Sequence, residues 1–152
     1  RVAGWMKQLS AEGRYDVGAE LREAIERDFE AGYCDDEGTA AEIARVWREC
    51  GYLIDTHTAV ASRVLRDYRA RTGDKTPAVV VSTASPYKFC DSVLRALGVE
   101  TDAPGTELIG RLERATGTTA PAPLADLAGR AVRFEACVAP EAQRQVVEDF
   151  LA

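Results

Sequence analysis

The chain has 152 residues, 46% of them hydrophobic and 29% charged, which is enough to bury one core and too little to require two. A net charge of −6, with lysines and arginines spread along helical faces and forming no patch, speaks against a nucleic-acid partner. No apolar run approaches the ~20 residues that span a bilayer, and Arg1-Val2-Ala3-Gly4-Trp5 lacks the apolar stretch of a signal peptide, so a soluble cytoplasmic protein with no membrane partner is expected.

Val2 to Leu9 places Trp5, Met6 and Leu9 on one helical face, without an initiator Met or a capping residue, and reads as a stretch cut from something longer. After Gly13, Asp16 is positioned to cap a helix carrying Val17, Leu21, Ile25 and Phe29, with Gly32 as its stop. Asp35 or Asp36 caps a third helix through Ile43, Val46 and Trp47, which ends at Cys50-Gly51. Tyr52-Leu53-Ile54 then leads into Asp55, and a fourth helix follows with Ala59, Val60, Val64, Leu65 and Tyr68.

The turn Arg71-Thr72-Gly73-Asp74 delivers the chain to Ala78-Val79-Val80-Val81, whose β-branched residues predict a short buried strand. Ser82-Thr83-Ala84-Ser85-Pro86 follows at once. Ser85 suits a helix N-cap and Pro86 the first helical position, ahead of Phe89, Val93, Leu94 and Leu97 at helical spacing. Hydroxyl groups at the carboxyl end of a strand, beside a helix start, occupy the place where open α/β sheets bind ligands, and Thr83 is the foremost candidate. Beyond Gly98, the turn 102–105 precedes an amphipathic helix through Leu108, Ile109 and Leu112, and Gly117 to Pro123 reads as a loop. Ala131 to Val138 predicts a second strand, and Pro140 opens a last helix with Val146, Val147, Phe150 and Leu151.

The expected class is therefore α/β, mainly helical with few strands. Two strands do not make a sheet of ordinary size, so either the rest of the sheet lies outside this chain or the strands edge a helical domain. The four cysteines, Cys34, Cys50, Cys90 and Cys137, form no CxxC pair and share one histidine, so reduced structural thiols are expected and no metal site.

Gly51-Tyr52-Leu53-Ile54-Asp55-Thr56-His57-Thr58-Ala59-Val60 and, about twenty residues on, Val81-Ser82-Thr83-Ala84-Ser85-Pro86-Tyr87-Lys88-Phe89 together resemble the carboxyl-terminal part of threonine synthase. That family shows a D-P-H-T-A-V helix start followed by a strand ending in T-A-H-P-x-K-F. Trp5 to Leu9, Phe29 to Gly32 with Asp35-Asp36-Glu37, and Pro121 to Phe134 add support, so the resemblance covers essentially the whole chain. It implies a piece of a fold type II enzyme dependent on pyridoxal phosphate, with the three-layer αβα architecture of the tryptophan synthase β subunit. Residues 1–98 would be the carboxyl-terminal part of the cofactor-binding domain and 99–152 an extension packed on it.

The implied reaction converts O-phosphohomoserine and water to threonine and phosphate. Thr83 matches the family threonine that contacts the pyridine nitrogen of the cofactor, where a neutral hydroxyl donates a hydrogen bond and, unlike an aspartate, does not hold the nitrogen protonated. Two positions depart from the family pattern, Thr56 for proline and Ser85 for histidine, and both changes keep good capping chemistry. His57, the single histidine, is read as pinning the helix start because no second base lies near it in sequence, and Lys88 as solvated or salt-bridged.

The only lysines are Lys7, Lys75 and Lys88, none matching the lysine that anchors the cofactor, and no glycine-rich phosphate loop occurs. The expectation is a carboxyl-terminal fragment, inactive alone, whose partner is the amino-terminal portion of the same polypeptide, with self-association when isolated. Two other readings stand beside it. One is a threonine synthase-like phospho-lyase releasing 2-oxobutyrate, the other a non-catalytic helical interaction domain.

Overall fold

Punctuation read from the residues delimits most helices of this computed structural model, which describes residues 1–133 and 136–152. Helix α1 (Val2–Glu12) stops at Gly13, and α2 (Ala19–Glu26) follows. Helix α3 (Asp36–Cys50) starts where Asp35 accepts the Gly38 amide at 2.8 Å and stops at Gly51, whose φ of 61° is the left-handed conformation that glycine adopts without steric cost. Helix α4 (Thr56–Thr72) is capped by Asp55 and closed by Gly73. A 3₁₀ turn, Pro86–Lys88, precedes α5 (Cys90–Ala96), and α6 (Gly105–Thr116), α7 (Ala122–Ala125) and α8 (Gln143–Leu151) complete the order, with further 3₁₀ turns at Asp126–Gly129 and Pro140–Ala142.

The core lies among α3, α4, α5 and α6, which pack α3 on α4, α3 on α5 and α5 on α6. Ile43 and Val46 from α3, Ala59 from α4, Val93 and Leu94 from α5, and Leu108, Ile109 and Leu112 from α6 form one buried cluster. Helix α5 is its centre. With only seven residues it is too short to persist by backbone bonding alone, so the complete burial of Val93 and Leu94 is what holds it. One buried polar group joins two of these helices. Glu42 on α3, 0% exposed, accepts from Arg45 at 2.6 Å, from Ser62 of α4 at 2.8 Å and from Arg66 of α4 at 3.0 Å. Burial alone would raise its carboxyl, but the hydrogen bonds and the two guanidinium charges prevail and hold it at about 2.

Several expectations change in three dimensions. Asp16 accepts the Gly18 amide in a local turn, and Gly18 takes the cap of α2, which ends at Glu26 well short of Gly32 and leaves Phe29 exposed. The helix expected from Ser85 is broken at Phe89 into the 3₁₀ turn and α5. The loop after Gly117 contains the short helix α7.

Neither expected strand forms a ladder among the described residues. Residues 77–84 make no backbone hydrogen bond to the backbone of another described residue, and Val79 is 91% exposed. A strand exists through its partner, and the described residues supply none. Of Ala131 to Val138, Phe134 and Glu135 lie outside the described residues, and the remainder is not strand. The four thiols are unpaired; only Cys90 is buried, where first burial and then the charge of Asp91 push its thiol up, while Cys34 is half-buried and Cys50 and Cys137 are exposed.

Candidate functional site

The site is built from the first turn of α4 and the segment 82–89 that crosses it. Asp55 is fully buried, and its Oδ1 accepts the His57 amide at 2.8 Å and the Thr58 amide at 3.4 Å, the usual work of an N-cap. Its other oxygen, Oδ2, accepts the Thr58 hydroxyl. Burial raises the Asp55 carboxyl, but the bonds from the Thr58 hydroxyl, the two amides and the His57 ring outweigh it and leave it below its ordinary value. A charged carboxylate inside the protein is therefore satisfied almost entirely by the turn it caps.

Thr58 extends that anchor across 24 residues of sequence: its Oγ1 lies 3.0 Å from Ser82 Oγ. Because the single Thr58 proton goes to a carboxylate that has none to give, the Ser82 hydroxyl is the donor in this second contact. His57 stands on the other side of the turn, with Nδ1 3.2 Å from Asp55 Oδ1 and its ring 5.0 Å from that of Phe89. It thus does pin the helix start, and it also touches the far end of the 82–89 segment. In the middle, the Ser85 hydroxyl accepts the Tyr87 amide at 3.3 Å, and the buried Tyr87 places its OH 2.7 Å from Thr118 Oγ1 just beyond α6.

Thr83 lies within this pinned segment, yet it is exposed and its hydroxyl makes no hydrogen bond to any described residue. An exposed hydroxyl without a partner among the described residues is able to donate to a ring nitrogen, so the position of Thr83 does not conflict with the cofactor contact that the resemblance implies. Lys88 is exposed and forms no ion pair among the described residues, as read from sequence. A cleft of about 420 Å³ adjoins the same helix starts, lined by Thr39, Ile43, Thr56, Phe89, Ser92 and Arg95, but Thr83 is not in its walls. No group of three or more histidine, cysteine, aspartate or glutamate side chains able to hold a metal occurs among the described residues.

Sequence reasoning passed over Thr58 and Ser82 as functional positions. The Asp55-x-x-Thr58 spacing signals a cap, but the contact to Ser82 depends on the crossing of two segments that no local pattern encodes.

A structure of threonine synthase from Brucella melitensis with pyridoxal phosphate bound superimposes with a TM-score of 0.71 at 31% identity, over 99% of this chain and 27% of that one. The fold is thus a section of a fold type II pyridoxal phosphate enzyme, and the mainly helical class expected from the sequence holds. The family model for the threonine synthase carboxyl-terminal region matches residues 58–151, and the chain belongs to that family.

Among curated relatives, threonine synthase-like 1 of Macaca fascicularis is 34% identical over 108 residues, 68% of this chain and 14% of its own length. Threonine synthase of Saccharomyces cerevisiae is 30% identical over 101 residues, 63% of this chain and 20% of that protein, and its counterpart in Pseudomonas aeruginosa is 33% identical over 95 residues, 62% and 20%. The chain spans between 14% and 20% of the length of these relatives.

Proposed function

We propose that this chain forms one wall of the active site of an enzyme that uses pyridoxal phosphate to convert O-phosphohomoserine and water to threonine and phosphate. The observation that carries the reading is the free, exposed Thr83 hydroxyl on a segment pinned on either side, within a family whose Brucella melitensis structure is described as binding that cofactor. When bound, the cofactor supplies an electron sink for carbanion chemistry. Thr83 would donate a hydrogen bond to its ring nitrogen, and as a neutral hydroxyl it would not hold that nitrogen protonated as an aspartate would.

The anchoring lysine and the phosphate loop belong, in this reading, to the amino-terminal portion of the same polypeptide, and the 152-residue chain alone is inactive. Residues 1–98 complete the cofactor domain, and 99–152 pack on it through α6. The location is cytoplasmic; consistent with that, no described helix is long and apolar enough to cross a membrane.

The purified chain mixed with pyridoxal phosphate is expected to show no specific visible band that borohydride reduces and no turnover of O-phosphohomoserine. A reducible band with turnover overturns the reading. In the full-length polypeptide, Thr83→Val is expected to weaken cofactor binding or shift its spectrum, and an unaltered spectrum and rate remove Thr83 from the site.

A second reading is prompted by the match to threonine synthase-like 1, which at 34% identity stands beside the threonine synthases at 30% and 33%. Here the enzyme releases 2-oxobutyrate in place of threonine. Assaying both products of the full-length polypeptide separates the two.

A further inference from the structure

The N-cap of α4 does more than an N-cap needs. Amide donors are satisfied by one carboxylate oxygen, Asp55 Oδ1, yet the second oxygen takes the Thr58 hydroxyl, and Thr58 in turn meets Ser82, the residue immediately before Thr83. Asp55 is 0% exposed and Thr58 6%, so the Asp55–Thr58 contact is shielded from water, where a hydrogen bond is hard to exchange for another, while Ser82 is exposed and meets Thr58 at the edge of that buried pair. An acceptor-only carboxylate makes Thr58 a donor toward Asp55 and an acceptor toward Ser82, whose one proton has the Thr58 hydroxyl at 3.0 Å as its nearer acceptor and the Ala84 carbonyl at 3.5 Å as its farther one. At the other end, the His57 ring against Phe89 holds the segment from the same helical turn. Between these two attachments Thr83 keeps its hydroxyl free.

We infer that Asp55, Thr58 and Ser82 are positioning residues for cofactor recognition: the relay, rooted in the buried Asp55–Thr58 pair, holds the backbone at Ser82 so that the Thr83 hydroxyl is presented to the pyridine nitrogen in one orientation. The inference rests on the reading of Thr83 as the cofactor contact. Pre-orienting a single donor matters because a neutral hydrogen bond is short-ranged and angle-dependent, so a loosened segment loses most of it.

The test uses the full-length polypeptide with the variants Thr58→Val, Thr58→Ser, Ser82→Ala and Thr83→Val. Affinity for pyridoxal phosphate, the absorption of the bound cofactor and the melting temperature of the cofactor-free protein are measured. Thr58→Val and Ser82→Ala are expected to weaken cofactor binding by about two- to tenfold, the range of one neutral hydrogen bond, and to move the absorption in the direction that Thr83→Val moves it. Thr58→Ser restores both. Adding either of the first two variants to Thr83→Val is expected to cost little more, as for residues acting through one group.

Ser82→Ala leaves the Asp55–Thr58 contact intact, so it reports on the relay even where Thr58→Val lowers folding stability. If affinity and spectrum stay at their original values in Ser82→Ala and Thr58→Val while Thr83→Val changes them, the positioning role is wrong and the Thr83 reading stands. If Thr83→Val changes neither, the cofactor contact itself fails and the inference falls with it.

Discussion

At the scale of single residues, two buried carboxylates do different work with the same chemistry. Asp55 is satisfied within one helical turn and turns outward, through Thr58, to the segment carrying Thr83. Glu42 is satisfied across two helices and turns inward, tying α3 to α4. Replacing Glu42 by Gln keeps the shape but removes the charge that both arginines answer, and is expected to cost about 1.5–3 kcal/mol in denaturant unfolding, the range for hydrogen bonds to a charged group. Its pH dependence has a definite sign. The native carboxyl sits near 2 against an ordinary 4.5, so the folded state binds fewer protons and the contribution is complete above about pH 4.5 and lost as pH falls toward 2. The stability gap between the original protein and Glu42→Gln is therefore expected to shrink over that interval, and a gap independent of pH would show that the charge is not what Glu42 contributes.

At the scale of elements, length and burial divide the helices into two groups. Helices α3 to α6 each bury at least two side chains, whereas α1, α2, α7 and α8 bury none. The shortest of the buried group, α5, depends most on its neighbours, since a seven-residue helix has almost no stability of its own. Leu94→Ala is expected to cost about 2–5 kcal/mol, with the cavity left between α3 and α6 setting where in that range it falls. Because α5 follows directly from the 82–89 segment, amide exchange at Tyr87 to Cys90 is expected to rise with it. Exchange confined to α6 would mean that α5 does not carry the segment.

At the scale of the whole molecule, apolar surface is distributed as in a piece of a larger domain. Val79 and Val81 stand in solvent at 91% and 70% exposure on backbone without ladder partners among the described residues, and Phe150 and Leu151 of α8 are each 76% exposed. An unpaired β-branched segment of this kind invites pairing with another chain. In isolation the chain is therefore expected to self-associate, seen as a sedimentation coefficient that rises with concentration, and Val79→Lys with Val81→Lys is expected to suppress the rise. Concentration-independent monomers would show that this surface needs no cover.

The residues themselves determined which helices form and where they stop, because caps and left-handed glycines act within one turn: Asp35, Asp55, Gly51 and Gly73 sit where local chemistry puts them. They also carried the family resemblance, since Asp55-Thr56-His57-Thr58 and Thr83-Ala84-Ser85-Pro86 are contiguous motifs. Helix α2 shows the limit of that reasoning: the periodicity through Phe29 was apolar, but no surface was there to bury it, and the helix ends early. The same limit undid the strand at Ala78 to Val81, whose composition is right and whose partner is not among the described residues. Only the tertiary structure decided that Thr58 meets Ser82, that His57 meets Phe89 and that Glu42 joins α3 to α4. Those contacts bridge segments about 20 to 32 residues apart, and their existence depends on how helices pack, which no pattern with a period of two or 3.6 residues encodes.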